Sequence, residues 1–431
     1  MIFIRGAAVL TMESPGVLYE NGEILIEGQY ITHVGPAGSA SPPNDIDRII
    51  DARGMLALPG LVNCHTHGAM TLLRSYADDL PLQRWLEEKI WPVEERLDPE
   101  DIYWGTMLCC LEMIRSGTTS FADMYFHMDQ AARAVEKAGL RASLSRGMIG
   151  LSTGAGDALE ESRHFIGEWH GAADGRITTM LGPHAPYTCP PDFLRKVMDM
   201  AAEVQVGIHI HLAETGKEVE DIRRQYGKRP VALMDELGLF AFPVLAAHCV
   251  HLDEEEINIL AEKKVGVAHN PESNMKLASG IAPVTRLLEA GVLVGLGTDG
   301  PASNNNLDMM EEMRSAALLQ KVATMDPVAL PAFTALSMAT VNGARVLGLH
   351  DVGLLKPGYK ADIILINLHR PHLYPRHDLV AHLVYAAQSA DVETVIVDGR
   401  VVMEKRQVLT VDEEEVYRQV SRRAERLAGR K

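Results

Sequence analysis

Pro59-Gly60-Leu61-Val62-Asn63-Cys64-His65-Thr66-His67 runs an apolar segment straight into two histidines one residue apart. Neighbouring side chains on a β-strand point to opposite faces, so His65 and His67 share one face of the strand they end. A lone His-x-His is weak evidence. Here further groups follow in order, each closing a strand-like segment: His184, His211 with Glu214, His248 and Asp299. Two imidazoles on one face, joined by a third and by a carboxylate, form a divalent-metal site.

Working outward, residues 56–63, 118–123, 141–146, 178–184, 206–213, 244–248, 265–269 and 293–298 read as eight strands. The stretches 99–115, 131–138, 192–203 and 254–263 between them carry helical periodicity, and 307–323 and 327–347 complete an outer layer. Eight β–α repeats in about 240 residues is the size of a (β/α)8 barrel. An α/β, TIM-like barrel is therefore expected over residues 57–347. The ends of the chain read differently. Short strands at 2–4, 23–27 and 30–34 are separated by turns at Asn21-Gly22 and Gly28-Gln29. Strands return at 361–367, 392–397 and 400–404, with Asp398-Gly399 as a hairpin turn and 411–427 as a closing helix. Residues 1–56 and 348–431 thus predict a second small β-sandwich domain built from both termini.

The formal charge is 41 − 58 = −17, and no local basic patch offsets it. An acidic surface repels phosphate backbones, which argues against nucleic acid as a partner. Arg422-Arg423 and Arg430-Lys431 read as a solvated helix face. Five cysteines (Cys64, Cys109, Cys110, Cys189 and Cys249) are odd in number and lack Cys-x-x-Cys spacing, which favours a reducing cytoplasm. Cys64 and Cys249 neighbour site histidines, but alternation turns them into the packing. Residues 1–12 are too short for a signal peptide, and no stretch reaches a membrane span; a cytoplasmic protein is expected.

Catalytic groups of barrel enzymes sit at the C-terminal ends of the strands, where the singled-out residues fall. A site of His65, His67, His211 and Asp299 with one open position suits zinc, with ferrous iron as the alternative. Such a metal lowers the pKa of bound water from about 16 towards about 7. Glu214 then reads as the proton carrier to a ring nitrogen, Asp299 as acceptor of the water's proton, and His248 as the group that polarises or orients the nucleophile. Strand 178–184 holds no lysine to bridge two metals, so one metal per chain is expected. The His-x-Glu and Pro-Cys-x-x-Cys pattern of cytidine-type deaminases is missing. His209 shares parity with His211 but lies one pair deeper, so His211 is preferred as ligand. Packing or supporting roles are expected for His251 and His269.

The stretch 59–67 resembles the strand-one signature of the amidohydrolase superfamily. The likeness continues through Gly297-Thr298-Asp299-Gly300 and through Leu354-Leu355-Lys356-Pro357-Gly358-Tyr359-Lys360-Ala361-Asp362, and covers essentially the whole chain. Residues 70–79 (MTLLRSYADD), Trp85-Leu86 and Ile90-Trp91-Pro92-Val93-Glu94 resemble a narrower group, the 5′-methylthioadenosine/S-adenosylhomocysteine deaminases. Gly182-Pro183-His184-Ala185-Pro186-Tyr187 and Ser273-Asn274-Met275-Lys276-Leu277 agree with it. The resemblance implies the same four metal ligands and a hydrolase that deaminates the 6-amino group of adenine nucleoside thioethers. It further implies that Glu94 accepts from the ribose hydroxyls, that Arg146 pairs with the carboxylate of S-adenosylhomocysteine, and that His184 contacts the nucleoside. Residues 149–159 carry no second basic group, so the uncharged methylthio compound is expected to be handled as well. The implied partner is a small-molecule nucleoside; a homo-oligomer is compatible with the sequence. Two alternatives remain: another hydrolase of this architecture acting on guanine, cytosine or a triazine, and a non-catalytic scaffold.

Overall fold

The structure, a computed structural model, describes residues 1–41 and 46–429; Arg430 and Lys431 lie outside the described residues. Its centre is an eight-stranded parallel sheet curled into a nearly closed barrel. The strands in order are Leu61–Thr66, Thr118–Tyr125, Arg141–Met148, Ile177–Pro183, Ile208–Leu212, Val244–His248, Gly266–His269 and Leu293–Leu296. Most of their residues are buried on both faces, including polar ones along Thr118–Tyr125 (TTSFADMY) and Arg141–Met148 (RASLSRGM).

The last strand returns to the first through a seam of mixed bonds. The Thr298 and Asp299 amides donate to the His65 carbonyl at 3.1 and 2.9 Å. The Asn63 side chain donates to Thr298 Oγ1 at 2.8 Å and accepts from the Thr298 amide at 3.1 Å. Close approach here requires glycine: a Cβ on Gly297 would lie 2.4 Å from Asn270 Oδ1 and 2.8 Å from the His65 amide. All five cysteines are buried and free, and Cys64 Sγ packs 3.6 Å from the Gly343 carbonyl, as packing residues should.

A separate nine-stranded sheet gathers Ile2–Leu10, Leu18–Glu27, Tyr30–Pro36, Arg48–Asp51 and Met55–Pro59 with Ile363–Asn367, Val392–Val397, Arg400–Glu404 and Gln407–Val408. Both ends of the chain therefore build it. Strands expected only in part proved longer, because polar residues such as Glu20 and Glu23 sit within a twisted antiparallel ladder.

Four local readings are corrected. The expected strand 56–63 is two strands: Met55–Pro59 pairs with Ile363–Asn367 in the terminal sheet, and Leu61–Thr66 enters the barrel. Gly60 turns the chain between them with no room for a side chain, since a Cβ there would be 2.1 Å from Thr119 Oγ1. Asn21-Gly22 is not a turn but lies inside the strand Leu18–Glu27, where the register slips beside Gly22. The expected helix 327–347 is two, Ala332–Met338 and Val341–Val346, and the break lets the Ala339 carbonyl accept from the Val62 amide at 2.8 Å. Arg423 is buried rather than solvated: it reaches Asp101 Oδ1 at 3.0 Å and pins the closing helix Glu413–Leu427 to the helix Pro99–Ser116. No helix among the described residues is long and apolar enough to cross a membrane.

The two sheets are locked by Arg141 at the start of the third barrel strand. Its Nε donates to Asp362 Oδ2 at 2.9 Å and its Nη2 to Asp398 Oδ1 at 3.1 Å, all three groups being buried. Lys360 also reaches Asp398 at 3.3 Å, so removing Arg141 leaves Asp362 as the uncompensated charge. Arg141→Met should therefore cost about 3 kcal/mol, because a buried pair broken on one side strands the other. Denaturant unfolding beside wild type measures this; an unchanged midpoint would contradict the lock.

Candidate active site

The C-terminal mouth of the barrel draws the sequence-selected side chains into one cluster. One donor atom from each of His65, His211, His248 and Asp299 falls within 4.8 Å of the others. His67 joins them: its Nε2 is 3.3 Å from His211 Nε2 and 3.2 Å from Asp299 Oδ1. Five candidate donors thus converge, the expected four and His248.

Each imidazole is aimed by a bond on its far nitrogen. His67 Nδ1 meets the Met124 carbonyl at 2.7 Å, and His211 Nδ1 the His184 carbonyl at 2.6 Å. His248 Nδ1 lies 2.9 Å from Asn274 Oδ1, and His65 Nδ1 lies 2.8 Å from His209 Nε2. A carbonyl can only accept, so Nδ1 of His67 and of His211 carries a proton, and Nε2 of the neutral ring is the atom that would face a metal. His65 Nε2 is buried 3.3 Å from Asp299 Oδ1 yet makes no hydrogen bond. A buried, unpartnered ring nitrogen beside a carboxylate is the arrangement that a cation completes.

The electrostatics agree. Burial works against an ionised Asp299, yet His65 and His67 hold its carboxyl well below the usual range. Burial also opposes charge on His67, but Asp299 lifts it to about 9. Burial pushes His65 down to about 3 and His211 well below its ordinary value. The cluster therefore demands one positive centre, which a proton on His67 meets when nothing else does. This donor set fits a divalent metal.

The backbone is bent to make the cluster. Ala213 (φ 52°), His248 (φ 74°), Cys249 (φ 48°) and Asp299 (φ 60°) all leave their strands in the left-handed region. Such conformations cost on the order of 1–3 kcal/mol each for non-glycine residues and gather at functional sites.

A cavity of about 740 Å³, including its open mouth, lies over the cluster. Glu94, His184, Glu214, His248 and Asp299 line it, with an apolar wall that includes Trp85, Trp91 and Phe126. Glu214 Oε2 stands 3.9 Å from His248 Nε2, and burial lifts its carboxyl above the ordinary value. Glu94 Oε1 accepts from the Tyr125 hydroxyl at 2.7 Å, and burial raises its carboxyl too. Burial pushes His184, bonded to Thr188 Oγ1 at 2.9 Å, down to about 4.

The amidohydrolase family model matches residues 56–402. A 5-methylthioadenosine/S-adenosylhomocysteine deaminase of Pelotomaculum thermopropionicum is 67% identical over 429 residues, 100% of this chain and 99% of its own. One of Syntrophomonas wolfei is 57% identical over all of both chains. This chain belongs to the amidohydrolase family. Among solved structures, a zinc-bound adenosine deaminase of Xanthomonas campestris superposes with a TM-score of 0.95 at 36% identity, over 99% of this chain and 98% of that one. The zinc-bound atrazine chlorohydrolase of Arthrobacter aurescens gives 0.91 at 28% identity, over 98% of this chain and 100% of that one.

One selected residue stands apart from the rest of this amidohydrolase's site. Arg146 is not on the cavity wall: Nε and Nη2 donate to Glu161 Oε2 at 2.9 and 2.7 Å, and the guanidinium lies 5.5 Å over the Phe126 ring. Several supporting residues escaped the sequence reading. Ser273 and Ser303 both donate to Asp299 Oδ2, at 2.6 and 2.8 Å. Glu218, whose carboxyl burial pushes to about 7, accepts from the Ala213 and Glu214 amides at 2.9 and 2.8 Å. The spacing Thr215-x-x-Glu218 was the available signal, a helix-start pattern; Glu218 reaches past the cap to the two residues before it. Replacing Ser273 and Ser303 together by Ala removes both hydroxyl donors from a buried carboxylate oxygen. A loss of about 1–3 kcal/mol is expected in metal-free protein, measured by unfolding; equal stability would mean that the two serines do not support Asp299.

Proposed function

We propose that this chain is a metal-dependent aminohydrolase. It replaces the 6-amino group of an adenine nucleoside thioether by oxygen and releases ammonia, acting on 5′-methylthioadenosine and S-adenosylhomocysteine and also on adenosine. The carrying observation is that one cavity holds the histidine–aspartate cluster and Glu214 together with Glu94. Their sharing one cavity supports a deamination centre and an acceptor for sugar hydroxyls acting on one ligand. The names of the full-length relatives at 57–67% identity support the same substrates.

His65, His67, His211 and Asp299 would hold one zinc ion, the metal of the neighbouring structures. When bound, zinc supplies a Lewis acid that makes water nucleophilic at neutral pH. Asp299 takes the proton of the attacking water. Glu214, whose burial raises its carboxyl above the ordinary value, is the group placed to deliver a proton to the ring nitrogen beside C6, so that negative charge does not build on the base. His248, facing Glu214, orients the nucleophile. Asp299 passes the water's proton on to the amino group, the C6–N bond breaks to release ammonia, and the remaining hydroxyl proton returns to Glu214 as the C6 oxo group forms. Glu94 accepts from the ribose hydroxyls through the oxygen that Tyr125 leaves free, and His184 contacts the nucleoside from the wall.

Arg146 would meet the S-adenosylhomocysteine carboxylate only by exchanging the exposed Glu161 for it. Among the described residues the cavity lining holds neither lysine nor arginine. Methylthioadenosine meets no such competition.

Ammonia release from methylthioadenosine, S-adenosylhomocysteine, adenosine, guanine and a triazine tests the assignment. Glu214→Gln should lower kcat on methylthioadenosine by about 10²–10⁴-fold with metal content unchanged; undiminished turnover refutes its role. In the same panel, Arg146→Ala should weaken kcat/KM for S-adenosylhomocysteine by about tenfold, the value of one charge-assisted contact, and leave methylthioadenosine near wild type. Equal losses on both substrates would remove Arg146 from the tail site, and preferred turnover of guanine or the triazine would overturn the nucleoside reading.

A further inference from the structure

His209 shares a face of the fifth barrel strand with His211, yet it lies beneath the cluster rather than in it. Its Nε2 is 2.8 Å from His65 Nδ1, and its Nδ1 is 3.4 Å from Ser145 Oγ on the third strand. All three side chains are fully buried. This contact differs in kind from those behind the other imidazoles. His67 and His211 are backed by main-chain carbonyls, and His248 Nδ1 by two asparagine side chains, Asn274 Oδ1 at 2.9 Å and Asn270 Nδ2 at 3.3 Å. An oxygen acceptor settles where the ring proton sits. A second imidazole does not, because either ring can donate.

Two arrangements are open to the pair. If His209 donates from Nε2, His65 keeps its own proton on its other nitrogen, the buried Nε2 that faces Asp299 Oδ1. It then has no lone pair to offer there. If His65 donates from Nδ1, His209 must carry its proton on Nδ1, and the group in reach of that proton is Ser145 Oγ. Only this second arrangement frees His65 Nε2 for a metal.

We propose that His209 is a positioning residue, seated by Ser145, which fixes the tautomer and ring plane of His65 for metal binding. The inference rests on the metal-site reading above and concerns residues that take no part in holding the metal themselves. It also accounts for a strand that spends two buried histidines, His209 and His211, on one face.

The test compares wild type with His209→Gln, His209→Met and Ser145→Ala, all as full-length metal-free protein. Zinc dissociation constants come from competition with a chromogenic chelator, and thermal midpoints are recorded before zinc is added. His209→Gln keeps an acceptor near the Nε2 position, whereas His209→Met keeps bulk without one. His209→Met should weaken zinc about 10–100-fold, the usual cost of losing a group behind a ligand, and His209→Gln should stay within about threefold of wild type. Ser145→Ala should fall between the two, which keeps the test available if the methionine variant does not fold. Equal zinc binding by wild type, His209→Met and Ser145→Ala overturns the proposal, as does equal weakening in the glutamine and methionine variants. Wild type that takes up no zinc at all overturns the metal reading itself.

Discussion

A buried carboxylate that must stay ionised is the constraint on which this structure depends. Asp299 sits at the seam where the barrel closes, its Oδ1 turned to His65 and His67 and its Oδ2 held by two serine hydroxyls. A buried anion is expensive unless it is paired and hydrogen-bonded. The surrounding architecture supplies both. Asp299 is also the residue at which the eighth strand bonds back to the first, so barrel closure and charge placement are one event. Glycine at 297 is what lets the two strands come close enough.

From that point the site divides by function. The floor is a ring of imidazoles, with carbonyls behind His67 and His211, asparagine side chains behind His248 and His209 behind His65. The far wall carries two carboxyl groups whose burial favours the protonated form, Glu214 beside His248 and Glu94 beside Tyr125. One region keeps its carboxylate charged and the other tends to neutralise its own. Asp299 is faced by His65 and His67 at 3.3 and 3.2 Å, whereas at Glu214 and Glu94 burial outweighs the partners present. Strained backbone at Ala213, His248 and Asp299 re-aims the ends of the fifth, sixth and eighth strands, and the hydrogen-bonded loops that follow hold it there.

Much of this was legible in the chain. The eight barrel strands were found because short strand-like segments alternate with helical stretches along the chain, and because the histidines and Asp299 fall at or just after their C-terminal ends. The placement of His65, His67, His211, His248, Glu214 and Asp299 at one mouth follows from those strand ends. Errors arose where two elements of like texture abut. Residues 55–62 are apolar throughout, so the passage from terminal sheet to barrel at Gly60 left no polar mark. The single helix expected at 327–347 failed for a similar reason: its break serves a backbone bond to Val62, a contact distant in sequence. Arg423 looked solvated because its partners lie more than three hundred residues earlier.

What the sequence by itself determined was the barrel, the terminal sheet and the order of chemistry-bearing residues, because strand period and strand-end position are local properties. What only the tertiary structure decided was the direction of each group. It set His209 behind His65, 2.8 Å from its Nδ1, a contact that strand position alone does not give. It turned Arg146 towards Glu161 rather than into the cavity, and it assigned Ser273, Ser303 and Glu218 their supporting bonds. Those outcomes depend on distances between strands and loops far apart in the chain, and hydrogen bonds and ion pairs are decided by such distances rather than by residue type.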